Sequence, residues 1–424
     1  MGNLDYTQVL NKIENTRRFG NEPGVVVTAQ VIKVLREKGK QKRIIPYIHV
    51  AGTNGKGSVC AFFSSILKKE HMRVGTFVSP HLVDFEERIT VDGRMIPKED
   101  VTRLGNYLLD IDFGIGLTMF DYCLAMALLY FEEQQCDYMV IETGLGGRLD
   151  STNAIGTPQC AVITKIGYDH MAILGSDIAD IAAEKAGIIK ENSTVVVEQQ
   201  DKRAMQVIEQ EAKKKHARII TVEQSDIARC SGYALRLCGT FQWENAAAAE
   251  LAARYVLGKR YSGPEYEMQY DKTEPKSEKT DLNDRIKRAL EEAVWPGRME
   301  IVSKEPFLLV DGAHNSNGVD ALKESLMQMY PGEKFCFFMG VMADKDYDVM
   351  IREILPLAEE FYTVTPDSDR ALQASHLADF IRKEGVCATE LSGVDEIRKH
   401  LKRDTKNVAF GSLYFIGELK QHRI

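Results

Sequence analysis

"HVAGTNGKGSVCAFF", residues 49–63, decides how the chain is read. It comes close to the phosphate-binding pattern G-x-x-x-x-G-K-[ST], in which a hydroxyl residue directly follows the lysine. Here Gly57 follows Lys56, and the hydroxyl of Ser58 comes one position late. The flanks identify what the glycines connect. "IIPYIHV", residues 44–50, is apolar and β-rich and predicts a strand. After the loop, Val59, Phe62, Phe63, Ile66 and Leu67 recur at the spacing of one helix face. Gly52, Gly55 and Gly57 let the backbone curl around a phosphate, and the helix start offers free N–H groups to it. Lys56 can reach the terminal phosphates, and the hydroxyl of Ser58 or Thr53 can ligate Mg²⁺. The plainer reading is a mobile strand-to-helix turn with a solvated lysine, which does not call for this order of residues.

The alternation of strand and helix continues on both sides of that loop. "DYMVIE" (residues 137–142) and "CAVITKI" (160–166) read as buried strands. "TVVVEQ" and "RIITV" are further strands, separated by a helix around residues 204–215. Such alternation predicts a parallel sheet covered by helices. The polar stretch "YSGPEYEMQYDKTEPKSEKTDLND" reads as an exposed excursion, and a helical pattern follows it until "WPGR" breaks it. Strand and helix patterns then resume from "PFLLVDGAHN" to "NVAFGSLYFIGEL". The expected fold is α/β: a P-loop-type doubly wound ATPase domain over residues 1–295, then a smaller Rossmann-like domain over residues 296–424.

With 424 residues, two unequal domains are expected. A net charge of −8 implies no broad basic surface, so a nucleic-acid partner is not expected. None of the eight cysteines forms a C-x-x-C pair, and a zinc site is not expected. No apolar run approaches a membrane span, and the N-terminus carries no signal-peptide pattern. A cytoplasmic protein without membrane partners is expected.

Four clusters besides the loop carry chemistry. Glu142 ends a buried strand, where ligands of open α/β sheets gather; an acid there can ligate nucleotide-bound Mg²⁺ or simply pair with Arg148. The neighbouring "GLGGRL" has Leu149 where a dinucleotide turn needs glycine, which rejects a NAD reading. Asp169 and His170 follow the next apolar strand and emerge at the same sheet edge, where His170 suits metal ligation or base chemistry. Lys185 lies in an apolar helical segment, where a lysine must be paired, for example with Glu184, or modified. Beyond the boundary, Arg298 follows a Pro-Gly turn and can reach a phosphate, and Asp311 ends a strand as ribose-binding aspartates do. His314 lies three residues on; the bland reading of this loop is capping by Asp and Asn.

Together these motifs resemble the folylpolyglutamate synthase/dihydrofolate synthase family of the ATP-dependent Mur ligase superfamily. The resemblance rests on "HVAGTNGKGS", "SPHLVDFEERITVDG", "ETGLGGRLDSTN", "ITKIGYDHMAILG", "EKAGIIK", "GTFQWENAAAA", "WPGRME", "DGAHN", "MADKDY" and "GSLYFIGE", in that order. It covers residues 49–417, and the altered phosphate loop is itself the family form. The resemblance implies ATP bound between two domains, γ-phosphoryl transfer to a substrate carboxylate, and attack of the glutamate amine on the acyl phosphate. Asn54, Gly55, Lys56, Gly57 and Ser58 would hold the phosphates. Ser79 and Glu142, with Ser58, would serve a first Mg²⁺, and Glu142 or His170 with Lys185 a second. The family's lysine matching Lys185 is carbamylated, which would explain its burial. Asn245 would read the adenine, Arg298 the phosphates and Asp311 the ribose. His314 and Ser412 would lie near the incoming glutamate, and Phe120 would line the pterin pocket. Where the family often has His-Gln before the asparagine, this chain has Phe241-Gln242. That puts nearby substrate contacts in question.

The substrates implied are ATP, L-glutamate and a folate or pteroate, with a monomer expected by analogy. Domain closure over ATP is expected as well, because Arg298 and Asp311 lie beyond the boundary from Lys56. A peptidoglycan-precursor ligase of the same superfamily would need a nucleotide-sugar domain before the loop, and only 48 residues precede His49. A nucleotide-dependent regulatory ATPase is the alternative outside the ligases. The second α/β domain argues against it.

Overall fold

Pro46 cannot donate to a sheet, and the strand before the glycine loop starts one residue later, as β1 (Tyr47–Ala51). The computed structural model describes residues 3–17, 20–262 and 276–422. The stretch expected as an exposed excursion lies largely outside the described residues. Two units are present: residues 1–234 with 244–293, and residues 235–243 with 294–424. The segment 235–243, which the sequence reading left in the first domain, thus belongs to the second unit.

In the first unit β1 is joined by β2 (Val74–Phe77), β3 (Ile89–Val91), β4 (Arg94–Met95), β5 (Tyr138–Glu142), β6 (Cys160–Ile163), β7 (Thr194–Val197) and β8 (Arg218–Thr221). Their order is β4-β3-β2-β5-β1-β6-β7-β8. All neighbours from β2 to β8 pair in parallel, whereas the β2/β3 and β3/β4 pairs are antiparallel. β1, β5, β6 and β7 are buried along their whole length, as parallel strands covered on both faces must be. The chain leaves β1 toward β2 on one side, and leaves β6 toward β7 on the other. The carboxyl ends of β1 and β6 are therefore a topological switch point, where open α/β sheets bind ligands. One apolar layer packs β2 and β5 against the helices Gly24–Glu37, Lys98–Leu109 and Met119–Glu133. Another packs β6 and β7 against Ile178–Ala186 and Lys202–Lys214.

The second unit contains β9 (Glu300–Lys304), β10 (Phe307–Val310), β11 (Phe335–Met339), β12 (Ala358–Thr363), β13 (Cys387–Glu390) and β14 (Lys406–Phe410). They run in the order β13-β12-β11-β14-β10-β9. The β10/β9 pair is antiparallel and the other pairs are parallel. Phe335, Phe337, Phe361 and Phe410 are fully buried in its core. Both units are mixed α/β sheets. All eight cysteines are free thiols. Among the described residues, no helix is long and apolar enough to cross a membrane.

Candidate active site

The glycine loop is fixed by close approach rather than left mobile. At Gly52, with φ 152°, a Cβ would lie 1.8 Å from Thr164 Oγ1. At Gly55, with φ 92°, a Cβ would lie 2.2 Å from Asn245 Oδ1. Only glycine meets both the backbone angle and the crowding. Thr53 N and Asn54 N donate to Lys165 O at 2.9 and 3.3 Å, and Thr164 Oγ1 donates to Asn54 O at 2.6 Å. The loop is thus stitched to the residues that follow β6. Thr53 Oγ1 donates to Gly167 O and accepts from Gly167 N, both at 3.0 Å. That hydroxyl is engaged in holding the loop to the residues after β6. Ser58 is buried in the first turn of the helix Lys56–Lys69.

Lys56 starts that helix and folds back over the loop. Its Nζ donates to Gly52 O at 3.2 Å and Thr53 O at 3.1 Å, and lies 4.0 Å from Glu142 Oε1. Glu142 is the last residue of β5 and is buried. Its other oxygen accepts from Ser79 N at 3.2 Å. Lys56, Ser79 and Glu142 therefore form one connected group at the carboxyl ends of adjacent strands. The pairing of Glu142 with Arg148 does not occur, because Arg148 binds the Glu184 carboxylate.

Lys185 is 4% exposed, near the end of the helix Ile178–Ala186. The bland pairing with Glu184 is not what holds it. Its Nζ donates to Gly52 O at 2.8 Å. Burial, then the neighbouring Lys56 ammonium, pulls its amine down to about 7 against the opposing pull of Asp169, Asp150 and Glu184. Asn245, in the helix Phe241–Ser262, is buried with its amide oxygen toward Gly55. Phe120, in the first turn of Met119–Glu133, stands 5.4 Å from the Phe77 ring, and a Cβ on Gly144 would meet its edge at 2.7 Å. His170 is placed differently from the others. It adopts φ 52° before the short helix Met171–Leu174, its side chain is 37% exposed, and its Nε2 lies 3.9 Å from Asp169 Oδ1.

Three residues in this region escaped sequence reasoning. Thr164 and the backbone of Lys165 anchor the loop, and only the β1/β6 pairing brings them there. Asp150 accepts from Leu145 N at 2.8 Å, Thr152 N at 3.0 Å and the Thr152 hydroxyl, so it shapes the turn after Glu142. Its place inside "GGRLDSTN" was the signal available.

In the second unit, Asp311 follows β10 and is buried. Its carboxylate accepts from Met299 N and Ala313 N, each at 2.8 Å. Burial raises it, and the Arg298 guanidinium opposes that rise. Arg298 Nη1 lies where a Cβ on Gly312 would come within 2.0 Å, so the guanidinium rests on the "DGAHN" loop. His314 Nδ1 meets Gly312 O at 2.7 Å, which makes that nitrogen the donor. Ser412, after β14, is buried and caps the helix Leu413–Gln421 by accepting from Tyr414 N at 3.1 Å. Gly411 N donates to Ala313 O at 3.0 Å, tying the two loops together. Asp311, His314 and Ser412 thus belong to loops at the carboxyl ends of β10 and β14, and Arg298 precedes the antiparallel β9 at the same end of the sheet.

The donor set bears on metal. Among the described residues, no group of three or more His, Cys, Asp or Glu side chains converges as a cage. One buried carboxylate beside hydroxyl residues and a phosphate loop fits Mg²⁺ that arrives with its nucleotide, since this ion keeps waters and takes few protein ligands.

Residues 50–253 match the Mur ligase middle domain, and residues 297–411 match the Mur ligase glutamate ligase domain. The chain is 33% identical to the dihydrofolate synthase/folylpolyglutamate synthase of Bacillus subtilis, covering 98% of each chain. It superposes on Mycobacterium tuberculosis folylpolyglutamate synthase complexed with ADP with a TM-score of 0.82 at 25% identity, over 99% of this chain and 98% of that one. With E. coli FolC in complex with DHPP and ADP the TM-score is 0.80 at 27% identity, over 99% and 97% of the two chains.

Proposed function

The chain belongs to the folylpolyglutamate synthase/dihydrofolate synthase family, and on that premise we propose how its own residues divide the work of ATP-dependent glutamate ligation to folates. The observation that carries the reading is the convergence of Lys56, Glu142, Ser79 and Lys185 around one glycine loop at a sheet switch point. Phosphoryl transfer needs positioning and charge neutralisation more than covalent help.

The loop N–H groups of Gly55, Gly57 and Ser58 hold the phosphates of ATP, while Asn54 N, expected among them, is given to Lys165 O and holds the loop's shape instead. Lys56, tethered by two carbonyls and Glu142, offers its charge to the terminal phosphate. Asn245 reads the adenine beside Gly55. In the second unit Arg298 takes phosphates, Asp311 takes the ribose, and His314 and Ser412 attend the glutamate. Phe120, packed on Phe77, offers a ring face to the pterin. A substrate carboxylate oxygen attacks the γ-phosphorus and ADP leaves. The glutamate amine then attacks the acyl carbon and loses a proton, the bond from that carbon to the bridging oxygen breaks, and phosphate leaves carrying that former carboxylate oxygen.

Mg²⁺ would be held by Glu142 with Ser58 and Ser79, and a second ion by Glu142 or His170 with a modified Lys185; it supplies charge neutralisation of the phosphates. Carbamylation of Lys185 joins an unprotonated amine to carbon dioxide with loss of one proton. Burial and Lys56 favour that unprotonated amine. The B. subtilis relative carries both synthase names, and dihydropteroate is proposed as a second acceptor substrate. The test compares dihydropteroate with a tetrahydrofolate in an ADP-release assay containing ATP, Mg²⁺ and L-glutamate. Glutamate-dependent release with either acceptor supports ligation, and release that ignores both acceptor and glutamate contradicts it.

A further inference from the structure

Behind the phosphate loop lies a pair of carboxylates that the mechanism above does not use. Glu198 directly follows β7 and is 1% exposed. Its Oε2 accepts from Lys165 N at 2.8 Å, while its Oε1 is buried with no hydrogen-bond partner. Glu244 lies in the first turn of the helix Phe241–Ser262, one residue before Asn245, and its Oε1 accepts from Gln199 N at 2.6 Å.

These bonds lead directly to the loop. Glu198 holds Lys165 N, and Lys165 O in turn accepts from Thr53 N and Asn54 N. Gln200, two residues further, accepts from Ile166 N at 2.9 Å and donates to Thr164 O at 3.0 Å. The end of β7 thus clamps residues 164–166, and those residues hold the entrance of the glycine loop. On the other side Glu244 ties the same segment to the helix that carries Asn245 against Gly55.

The charges around Glu198 are few. Glu244 acts on it as a like charge, and among the described residues the cation acting on either carboxylate is Lys165, an exposed residue. A buried ionised carboxylate with one unpaired oxygen is expensive, and a second carboxylate makes it more so. Glu244 keeps the better claim to the charge, because the start of a helix favours an anion. Burial and then Glu244 push Glu198 well above the usual carboxylate range.

We propose that Glu198 is a positioning residue for the phosphate loop, acting through Lys165, and that it does so as the neutral acid. This rests on the nucleotide reading of the loop given above. The proton sits on Oε1, the oxygen without a partner, and Oε2 keeps the Lys165 N–H. When the proton leaves at alkaline pH, an unpaired charge appears beside Glu244, residues 164–166 shift, and the loop binds phosphate less well.

Glu198→Gln keeps an acceptor for Lys165 N and cannot ionise, whereas Glu198→Leu removes the acceptor. The experiment measures ADP binding calorimetrically for the full chain and both variants as pH rises. The phosphate and Lys185 titrate equally in wild type and Glu198→Gln, so their effects cancel in the ratio. Wild-type affinity is expected to fall relative to Glu198→Gln by up to about tenfold for each pH unit above the folded value of the Glu198 carboxyl. Glu198→Leu binds about fivefold more weakly even at low pH, the worth of one lost hydrogen bond. Parallel pH profiles for wild type and Glu198→Gln overturn the proposal. If Glu198→Leu does not fold, the Glu198→Gln ratio alone decides. A wild type that binds ADP but lengthens no folate defeats the functional reading, while the ratio still decides Glu198.

Discussion

Lys56 and Lys185 share one acceptor: the carbonyl oxygen of Gly52 takes hydrogen bonds from Lys56 Nζ at 3.2 Å and Lys185 Nζ at 2.8 Å. Two ammonium groups this close repel, and the fully buried one loses its proton more easily. Under the proposed function the two like residues take different chemistry, a phosphate cation at Lys56 and a reactive amine at Lys185. Lys185→Ala is expected to fold and to release ADP about 100-fold more slowly, with no rescue by excess bicarbonate. Near-normal turnover would rule out the carbamate.

Glu142 faces Lys56 on one side and Ser79 N on the other. Glu142→Gln keeps the acceptor for Ser79 N and removes the charge. Its rate is expected to drop about 100-fold, with more Mg²⁺ needed for half-maximal activity. A magnesium titration of ADP release checks this. An unchanged titration midpoint would place the ion elsewhere.

Gly52 is crowded by Thr164, and its φ of 152° is hard for any other residue. Gly52→Ala should destabilise the protein by about 1–3 kcal/mol and weaken ADP binding. Denaturant unfolding together with calorimetry reads both effects. Wild-type values for both would mean that the loop is not held as described.

Asp311 uses both oxygens on backbone donors, Met299 N and Ala313 N. In Asp311→Asn only one oxygen remains to accept, so a buried N–H loses its partner at a cost of about 1–3 kcal/mol. Faster amide exchange at Met299 or Ala313 is the expected signature. Unchanged exchange at both would contradict it.

Glu198 gives the pH dependence of stability. Its carboxyl is raised by burial in the folded chain, so the unfolded chain gives up that proton first as pH rises. Between the ordinary glutamate value and the raised one, the folded state binds more protons, and stability falls with rising pH. The stabilisation is complete below the unfolded value and lost as pH passes the folded one. Glu198→Gln should remove this decline, so the gap between variant and wild type widens toward alkaline pH. A gap independent of pH would show that Glu198 is already ionised.

The fold was legible where local pattern and burial agree. Val140, Ile141 and Glu142 show an apolar strand ending in an acid, and the structure places that acid beside Lys56. The loop was legible because glycines, lysine and helix face come in order. What stayed hidden depends on contacts distant in sequence. Nothing near Thr164 announces that its hydroxyl fills the space a side chain at residue 52 would need. Arg148 sits six residues from Glu142 but is captured by Glu184, thirty-six positions away. Residues 235–243 run into the start of the helix Phe241–Ser262 without an apolar period of their own, so their place in the second unit had no sequence signal.

The central claim is that this chain spends ATP to join glutamate to a folate. The most direct measurement is ADP release by the purified chain with ATP, Mg²⁺ and a reduced folate, with and without L-glutamate, followed by mass analysis of the folate. The account predicts release that depends on both folate and glutamate, with one glutamyl residue gained per ADP formed. ADP release without any lengthened folate would contradict it.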